Sequence, residues 1–310
     1  MFPSSSPLPF APPTPADAFL MRRCTEGACS SDLAAANLVL LQGKYHTTVV
    51  QAEGMLFRHY EQNARLLGYA FPAGARDAEG ARRGLELIRG DAAARGRELR
   101  FCLLTAEQRS FLEEWSPGEF IYTTDRGDAD YLYRRELLAD LPGTPYHAKR
   151  NHISRFTRDF PVWSTRQLCR DNAADALGIA EAWLAAQEED TPALHHELNA
   201  ISRALELLEP LQLFGLLLYV ESQPAAMAIA SFISDQVVDI HYEKCAPAFR
   251  GAYALINREF ARSLPVSCTL INREEDLNTP GLRQAKLSYH PSLILEKFSA
   301  RPCTATALIG

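Results

Sequence analysis

The order of apolar runs and turn signals constrains this chain most, because the same order occurs twice. In the first half, Ser31-Asp32 precedes an apolar stretch, Leu33 to Leu41, which predicts a capped helix. Tyr45 to Gln51 and Met55 to Tyr60 flank Glu53-Gly54 and read as a β-hairpin. Ala64 to Phe71 reads as a third short strand that Pro72-Ala73-Gly74 ends. A helix follows over Asp77 to Gly96, with Leu85 and Ile88 on one face, then a strand over Leu99 to Leu104. Thr105 to Trp115 reads as a helix capped by Thr105, with Glu107 in its first turn, and Phe120 to Thr123 as another strand. In the second half, Phe214 to Val220, Ala225 to Phe232 and Val237 to Glu243 read as three strands. After the glycine turn Ala248-Phe249-Arg250-Gly251 come a helix over Ala252 to Ser263, a strand over Pro265 to Ile271, a short helix near Leu282 to Leu287 and a last strand from Leu293 to Phe298.

Each half thus reads as hairpin, third strand, glycine loop, helix, strand, short helix and strand. This is a repeat of pattern with little residue identity. The order predicts an α+β chain, a tandem duplication of the GNAT-like (acyl-CoA N-acyltransferase) fold, with two mixed sheets flanked by helices. In such a fold a strand end feeds a loop at a helix N-terminus, where unpaired N–H groups and the helix dipole favour an anion. The expected division is a flexible tail over 1–16, an N-terminal lobe over 17–140, a mainly helical connection over 141–210, a C-terminal lobe over 211–300 and a tail over 301–310. The connection includes helices over Tyr146 to Asp159, Asp171 to Glu188 and Leu194 to Leu208.

Composition narrows the function classes. Hydrophobic residues make up 47% of the 310 and charged residues 23%, enough to build a sizeable core. The net charge of −6 disfavours a wholly basic nucleic-acid binder, so any contact with RNA or acidic lipid must use a local patch. The seven cysteines are scattered with no C-x-x-C pair, which argues against a disulfide framework or zinc site and fits a reducing compartment. The Pro/Ser-rich start lacks the charge and apolar core of a signal peptide, and Leu211 to Val220 is too short to span a membrane. These features predict a cytoplasmic protein.

Three clusters could carry chemistry. The first runs from Asp130-Tyr131-Leu132-Tyr133 on to Leu141 through Phe156; there Ile153, Phe156 and Phe160 share one helix face and Lys149, Arg150, Arg155 and Arg158 concentrate positive charge. It is either a grip on phosphate or a solvated face paired with nearby acids. The second runs from His241-Tyr242-Glu243-Lys244 to Phe249-Arg250-Gly251-Ala252-Tyr253 and Asn257. It is either an anion site or an ordinary strand-to-helix turn. It fits poorly the Q/R-x-x-G-x-G/A loop usual in acetyl-CoA-binding enzymes of this fold, since Ala248 and Tyr253 fall at the first and last places. The third sets Asn272-Arg273-Glu274-Glu275-Asp276 directly after an apolar strand, ahead of Arg283, Lys286 and His290 on one helix face. Carboxylates beside cations can serve as acid or base, or simply bridge loop and helix. His195-His196-Glu197 lacks a spaced third ligand and makes a weak metal candidate, and no metal is expected.

The segments DYLY, LPG-x-x-YH-x-KRNH-x-x-RF, HYEK, RGAY-x-x-IN-x-EF and INREEDL-x-x-x-GLR-x-AKLSYHP span most of residues 17 to 300. On these the chain resembles a bacterial family of soluble proteins similar to the C-terminal synthase domain of phosphatidylglycerol lysyltransferase, related in turn to Fem-type peptidoglycan aminoacyltransferases. The resemblance implies an acyltransferase moving an aminoacyl group from charged tRNA to an amine or hydroxyl acceptor. The alternatives are an acyl-CoA-dependent N-acyltransferase and a non-catalytic ligand- or RNA-binding protein. By that analogy Glu243, Glu274 and Asp276 handle protons, and Asn272 and Arg273 orient substrate or stabilise an oxyanion. Lys149, Arg150, Arg250, Gly251, Ala252 and Tyr253 would hold the donor. Asn151, His152, Arg283, Lys286 and Tyr289 would hold substrate, with Lys286 also a phosphate candidate. No tightly bound cofactor is expected. The expected partners are tRNA, through the basic patch, and a small-molecule, peptide or lipid-headgroup acceptor. Unlike the lysyltransferases, the sequence carries no membrane-spanning region to bring it to a lipid.

Overall fold

The computed structural model describes residues 7–62, 67–189 and 191–303. The start of the expected third strand (63–66), Asp190 and the tail ends at 1–6 and 304–310 lie outside the described residues.

An N-terminal strap carries α1 (Ala18–Arg22), α2 (Ala35–Leu40) and α3 (Gln42–Tyr45), so the expected helix from Leu33 to Leu41 is a tight turn at Ser31–Leu33 followed by two short helices. The first lobe follows as β1 (Thr48–Ala52), β2 (Met55–Glu61), β3 (Leu67–Tyr69), α4 (Ala78–Ala94), β4 (Phe101–Leu104), α5 (Ala106–Trp115) and β5 (Phe120–Thr124). Asp77 accepts from Gly80 N at 2.7 Å to start α4, and Thr105 with Gln108 forms a capping box on α5. Then come β6 (Asp130–Arg134), α6 (Arg135–Asp140), α7 (His147–Asp159), β7 (Trp163–Gln167), α8 (Ala173–Ala185) and α9 (Pro192–Glu206). The second lobe holds β8 (Phe214–Val220), β9 (Gln223–Ser234), β10 (Val237–Cys245), α10 (Tyr253–Ser263), β11 (Leu270–Asn272), α11 (Pro280–Leu287), β12 (Leu293–Leu295) and β13 (Phe298–Pro302).

The strands form two mixed sheets, ordered β1-β2-β3-β4-β13-β5 and β12-β6-β11-β10-β9-β8-β7. Each contains an antiparallel hairpin, a third strand and, across a helix, a fourth strand parallel to the third. These parallel pairs are β3 with β4 and β10 with β11. The duplicated GNAT-like pattern is therefore real in three dimensions.

The sheets do not follow the lobe boundaries expected at 17–140 and 211–300. β6, from the first half, lies between β11 and β12; β13, from the far end, lies between β4 and β5. Each lobe gives its last strand to the other. The expected single strand from Leu293 to Phe298 is in fact two, split at Glu296-Lys297, one in each sheet. Backbone hydrogen bonding is indifferent to which lobe supplies a strand, so the apolar pattern marks β6 and β13 as strands without naming their partners.

One apolar core lies between α6, α7, α10 and the second sheet. Another lies in the first lobe under α4 and α5. A third draws on both lobes, packing Leu38, Leu56 and Cys102 with Ile179, Met227 and Tyr242. At the junction of the strap, β2, β6, β10 and β11, this shared interior turns from apolar to charged.

Candidate active site

β10 and β11 are paired over three positions, Val237 with Leu270, Val238 with Ile271 and Asp239 with Asn272. Beyond that they part. Arg273 N bonds Tyr131 O at 2.9 Å and Tyr131 N bonds Glu274 O at 3.2 Å, drawing residues 273–274 toward β6 while β10 runs on to Cys245. The gap is a splayed cleft at strand C-terminal ends, where open sheets with helical crossovers collect ligands.

On the α7 and α10 side, Arg273 Nη2 donates to Glu243 Oε1 at 2.9 Å, and Asn257 Nδ2 donates to Glu243 Oε2 at 3.1 Å. The Arg273 guanidinium lies 4.9 Å from the centre of the Tyr289 ring, and the Lys149 ammonium 3.8 Å from it. Burial, with Arg273 nearby, lowers the Lys149 pKa to about 8. Arg273 Nη1 is buried without a hydrogen-bond partner. Burial pushes the Tyr289 hydroxyl well above its ordinary value, so it stays protonated.

On the strap side lies a buried ionic network. Lys297 Nζ reaches Asp130 and Glu275, each at 2.7 Å, and Arg58 pairs with Asp32. Burial, with Glu275 beside it, lifts Asp130 to about 6 against the pull of Lys297. His241 Nδ1 lies 3.4 Å from both Asp239 and Glu274, and its Nε2 is 2.8 Å from Ser231 Oγ.

Several candidate residues are committed to structure instead of facing the cleft. Asp276 is fully buried and accepts from Arg283 at 2.7 and 2.8 Å, Tyr131 at 2.5 Å and Asn278 N at 2.8 Å. Those bonds, Arg283 first, hold its pKa well below the carboxylate range and leave no free lone pair for a proton-handling role. Arg283 is thereby engaged as well. Asn272 bonds Cys29 O at 2.8 Å, Asp130 at 2.9 Å and Glu274 N at 2.7 Å, which fixes the loop. Lys286 turns inward, with its ammonium on the carbonyls of Arg273 and Glu275, and burial lowers its pKa to about 8.

In the basic helix, Arg150 caps the carbonyls of Leu141 and Gly143, and exposed Arg155 and Arg158 both face Asp159. Asn151 and His152 are exposed, with Asn151 beside His147 at 3.3 Å. Lys149 is the member of this run that reaches the cleft. At the start of α10, Gly251 has an ordinary φ; a Cβ there would meet the Phe156 ring at 3.3 Å, so close packing explains the glycine. Ala252 is buried beneath it, while Arg250 and Tyr253 line a cavity of about 640 Å³ with Trp183, Glu188 and Cys245. Of the doubtful histidine run, Glu197 bridges Lys244 at 2.8 Å, and Lys244 sits over the Trp183 ring.

Asp130 and His241 stood in the sequence clusters without an assigned role, and Asp239 and Lys297 were not among the sequence candidates. Their available signal was a charge inside an otherwise apolar strand, as in Val237 to Glu243. It marks a buried polar group without saying what it meets.

Residues 27–301 match the family described as Phosphatidylglycerol lysyltransferase, C-terminal. A conserved protein of unknown function from Bacteroides thetaiotaomicron is 33% identical, with a TM-score of 0.87 over 96% of this chain and 100% of that one. The L-PGS structure from Bacillus licheniformis is 12% identical, TM-score 0.65, covering 95% of this chain and 94% of that one. FemX is 9% identical, TM-score 0.60, covering 92% and 95%. These last two share the fold. An uncharacterised protein of Mycoplasmoides gallisepticum is 22% identical over 187 residues, which is 60% of this chain and 60% of that relative's length. Among the described residues no helix is long and apolar enough to cross a membrane. With the matched region spanning both sheets and the splayed cleft, this chain belongs to the phosphatidylglycerol lysyltransferase C-terminal family, and it shares its fold with FemX.

Proposed function

We propose that the protein transfers an aminoacyl group from charged tRNA to an amine or hydroxyl acceptor in the cleft between β10 and β11. The observation that carries this reading is Lys149, half-buried on the Tyr289 ring with a pKa near 8, beside Arg273 with a buried, unpartnered Nη1. Neutral Lys149 takes the proton of the attacking amine or hydroxyl. The acceptor then bonds to the ester carbonyl carbon, and Arg273 Nη1 donates to the developing oxyanion. As the ester C–O bond breaks, the departing ribose oxygen takes the proton from Lys149. Glu243 and Asn257 fix the guanidinium, and the cavity at Arg250 and Tyr253 receives the donor's phosphate end.

The test is release of labelled amino acid from charged tRNA by the full chain, with a simple amine as acceptor. The expected rate rises with pH through about 8, because the neutral amine is the base. Lys149→Met is expected to abolish that limb, and Arg273→Met to cost about 100-fold or more in rate. Acetyl-CoA and uncharged tRNA are titrated in parallel. Saturable acetyl-CoA binding with acetyl transfer would replace this donor with an acyl-CoA. No binding of any donor up to millimolar concentration would overturn the catalytic reading in favour of a binding protein.

A further inference from the structure

We propose that Asp239, His241 and Glu274 form a site for a divalent first-row cation that accepts mixed nitrogen and oxygen ligands, such as Mn2+ or Zn2+. One ligand atom from each lies within 4.8 Å of the others, and His241 Nδ1 is 3.4 Å from both Asp239 Oδ2 and Glu274 Oε1. A charged N–H···O bond closes to about 2.7–2.9 Å. The two separations from His241 match the roughly 3.4 Å between ligands around a metal with bonds of about 2.0–2.1 Å. The two carboxylate oxygens, both bonded by Asn37 Nδ2, stand within 4.8 Å and would close in on an ion.

Two further observations point the same way. Asp239 is fully buried, and its Oδ1 has no hydrogen-bond partner, an arrangement that costs free energy unless a proton or a cation meets it. The surrounding charge is also unbalanced. Asp32, Asp130, Asp239, Glu274 and Glu275 share three cations, Arg58, Lys297 and Lys286. The outer contacts suit a metal site as well. His241 Nε2 meets buried Ser231, as a ligating histidine's second nitrogen usually meets a polar group. Asn37 Nδ2 holds Asp239 Oδ2 at 3.0 Å and Glu274 Oε1 at 2.9 Å, and also meets Ser31 O at 3.1 Å. Glu274 is partly exposed and gives the ion a way in.

The test is titration of the full chain with Mn2+, followed by electron paramagnetic resonance and calorimetry, with Zn2+ as competitor. Mn2+ is the primary probe because it disfavours the protein's free cysteines. One ion per chain is expected, with Glu274→Gln weakening binding at least 100-fold and Asn37→Ala about 10- to 100-fold. Glu274→Gln lies at the rim, and its unfolding temperature without metal is the control for folding. Should His241→Ala fail to fold, nitrogen-15 spectra of His241 in the parent protein replace it, with a shift of the Nδ1 resonance expected on Zn2+ addition. The absence of saturable binding up to millimolar ion, binding unchanged in Glu274→Gln, or a His241 Nδ1 resonance unmoved in excess Zn2+ would each overturn the proposal. None of these readouts depends on acyl transfer.

Discussion

At the scale of single residues, burial decides which titrations affect stability. His59 packs against Tyr69 with ring centres 4.6 Å apart and is nearly buried. Burial, with Arg97 next, lowers its pKa to about 4. The unfolded chain binds a proton at this histidine below about 6.5, while the folded chain does so only below about 4. Across that window the unfolded state holds more protons, so this residue's contribution makes stability rise with pH from about 4 to 6.5 and level off outside it. Denaturant titrations of parent and His59→Gln across pH 4–7 check this. The variant is expected to show a shallower rise. An unchanged slope would mean that other groups set the pH dependence.

At the scale of elements, β13 is the telling case. It pairs antiparallel with both β4 and β5, and Ala300 stands opposite Phe101 and Tyr122. A strand paired on both sides cannot spare an N–H or admit a proline ring without disturbing its ladder. Ala300→Pro is expected to destabilise the protein by about 1–3 kcal/mol, the cost of leaving a buried ladder partner unsatisfied, measured by urea unfolding. A loss below about 1 kcal/mol would show the strand to be dispensable. The α4 and α5 starts and the first hairpin were legible in the sequence because caps and turns are local devices, carried by Asp77, Thr105 and Glu53-Gly54. The partners of β6 and β13 were not, because pairing is set by what lies alongside in space.

At the scale of the whole molecule, the exchange of last strands ties the lobes together. Neither sheet is complete without a strand from the other half, and one apolar core draws on both. Unfolding is therefore expected to be one cooperative event. Trp115 in α5 reports on the first lobe, and Trp163 in β7 and Trp183 in α8 on the second. Single-tryptophan variants are expected to give coincident urea transitions. Separated midpoints would show that the lobes unfold independently despite the exchange.

The sequence by itself determined the two-fold pattern, the class of fold and the family, because hydrophobic period, turn chemistry and contiguous motifs are written along the chain. It also drew attention to Lys149, Glu243, Arg273 and Tyr289, which the fold gathers at one cleft. Only the tertiary structure decided that Asp276, Arg283, Asn272 and Arg150 are spent on holding loops. Only it brought Asp130 and Lys297, 167 residues apart, into contact. The physical reason is the same in each case. A charged residue's role depends on whether its hydrogen-bonding capacity is already filled once it is buried, and the partners that fill it come from distant strands.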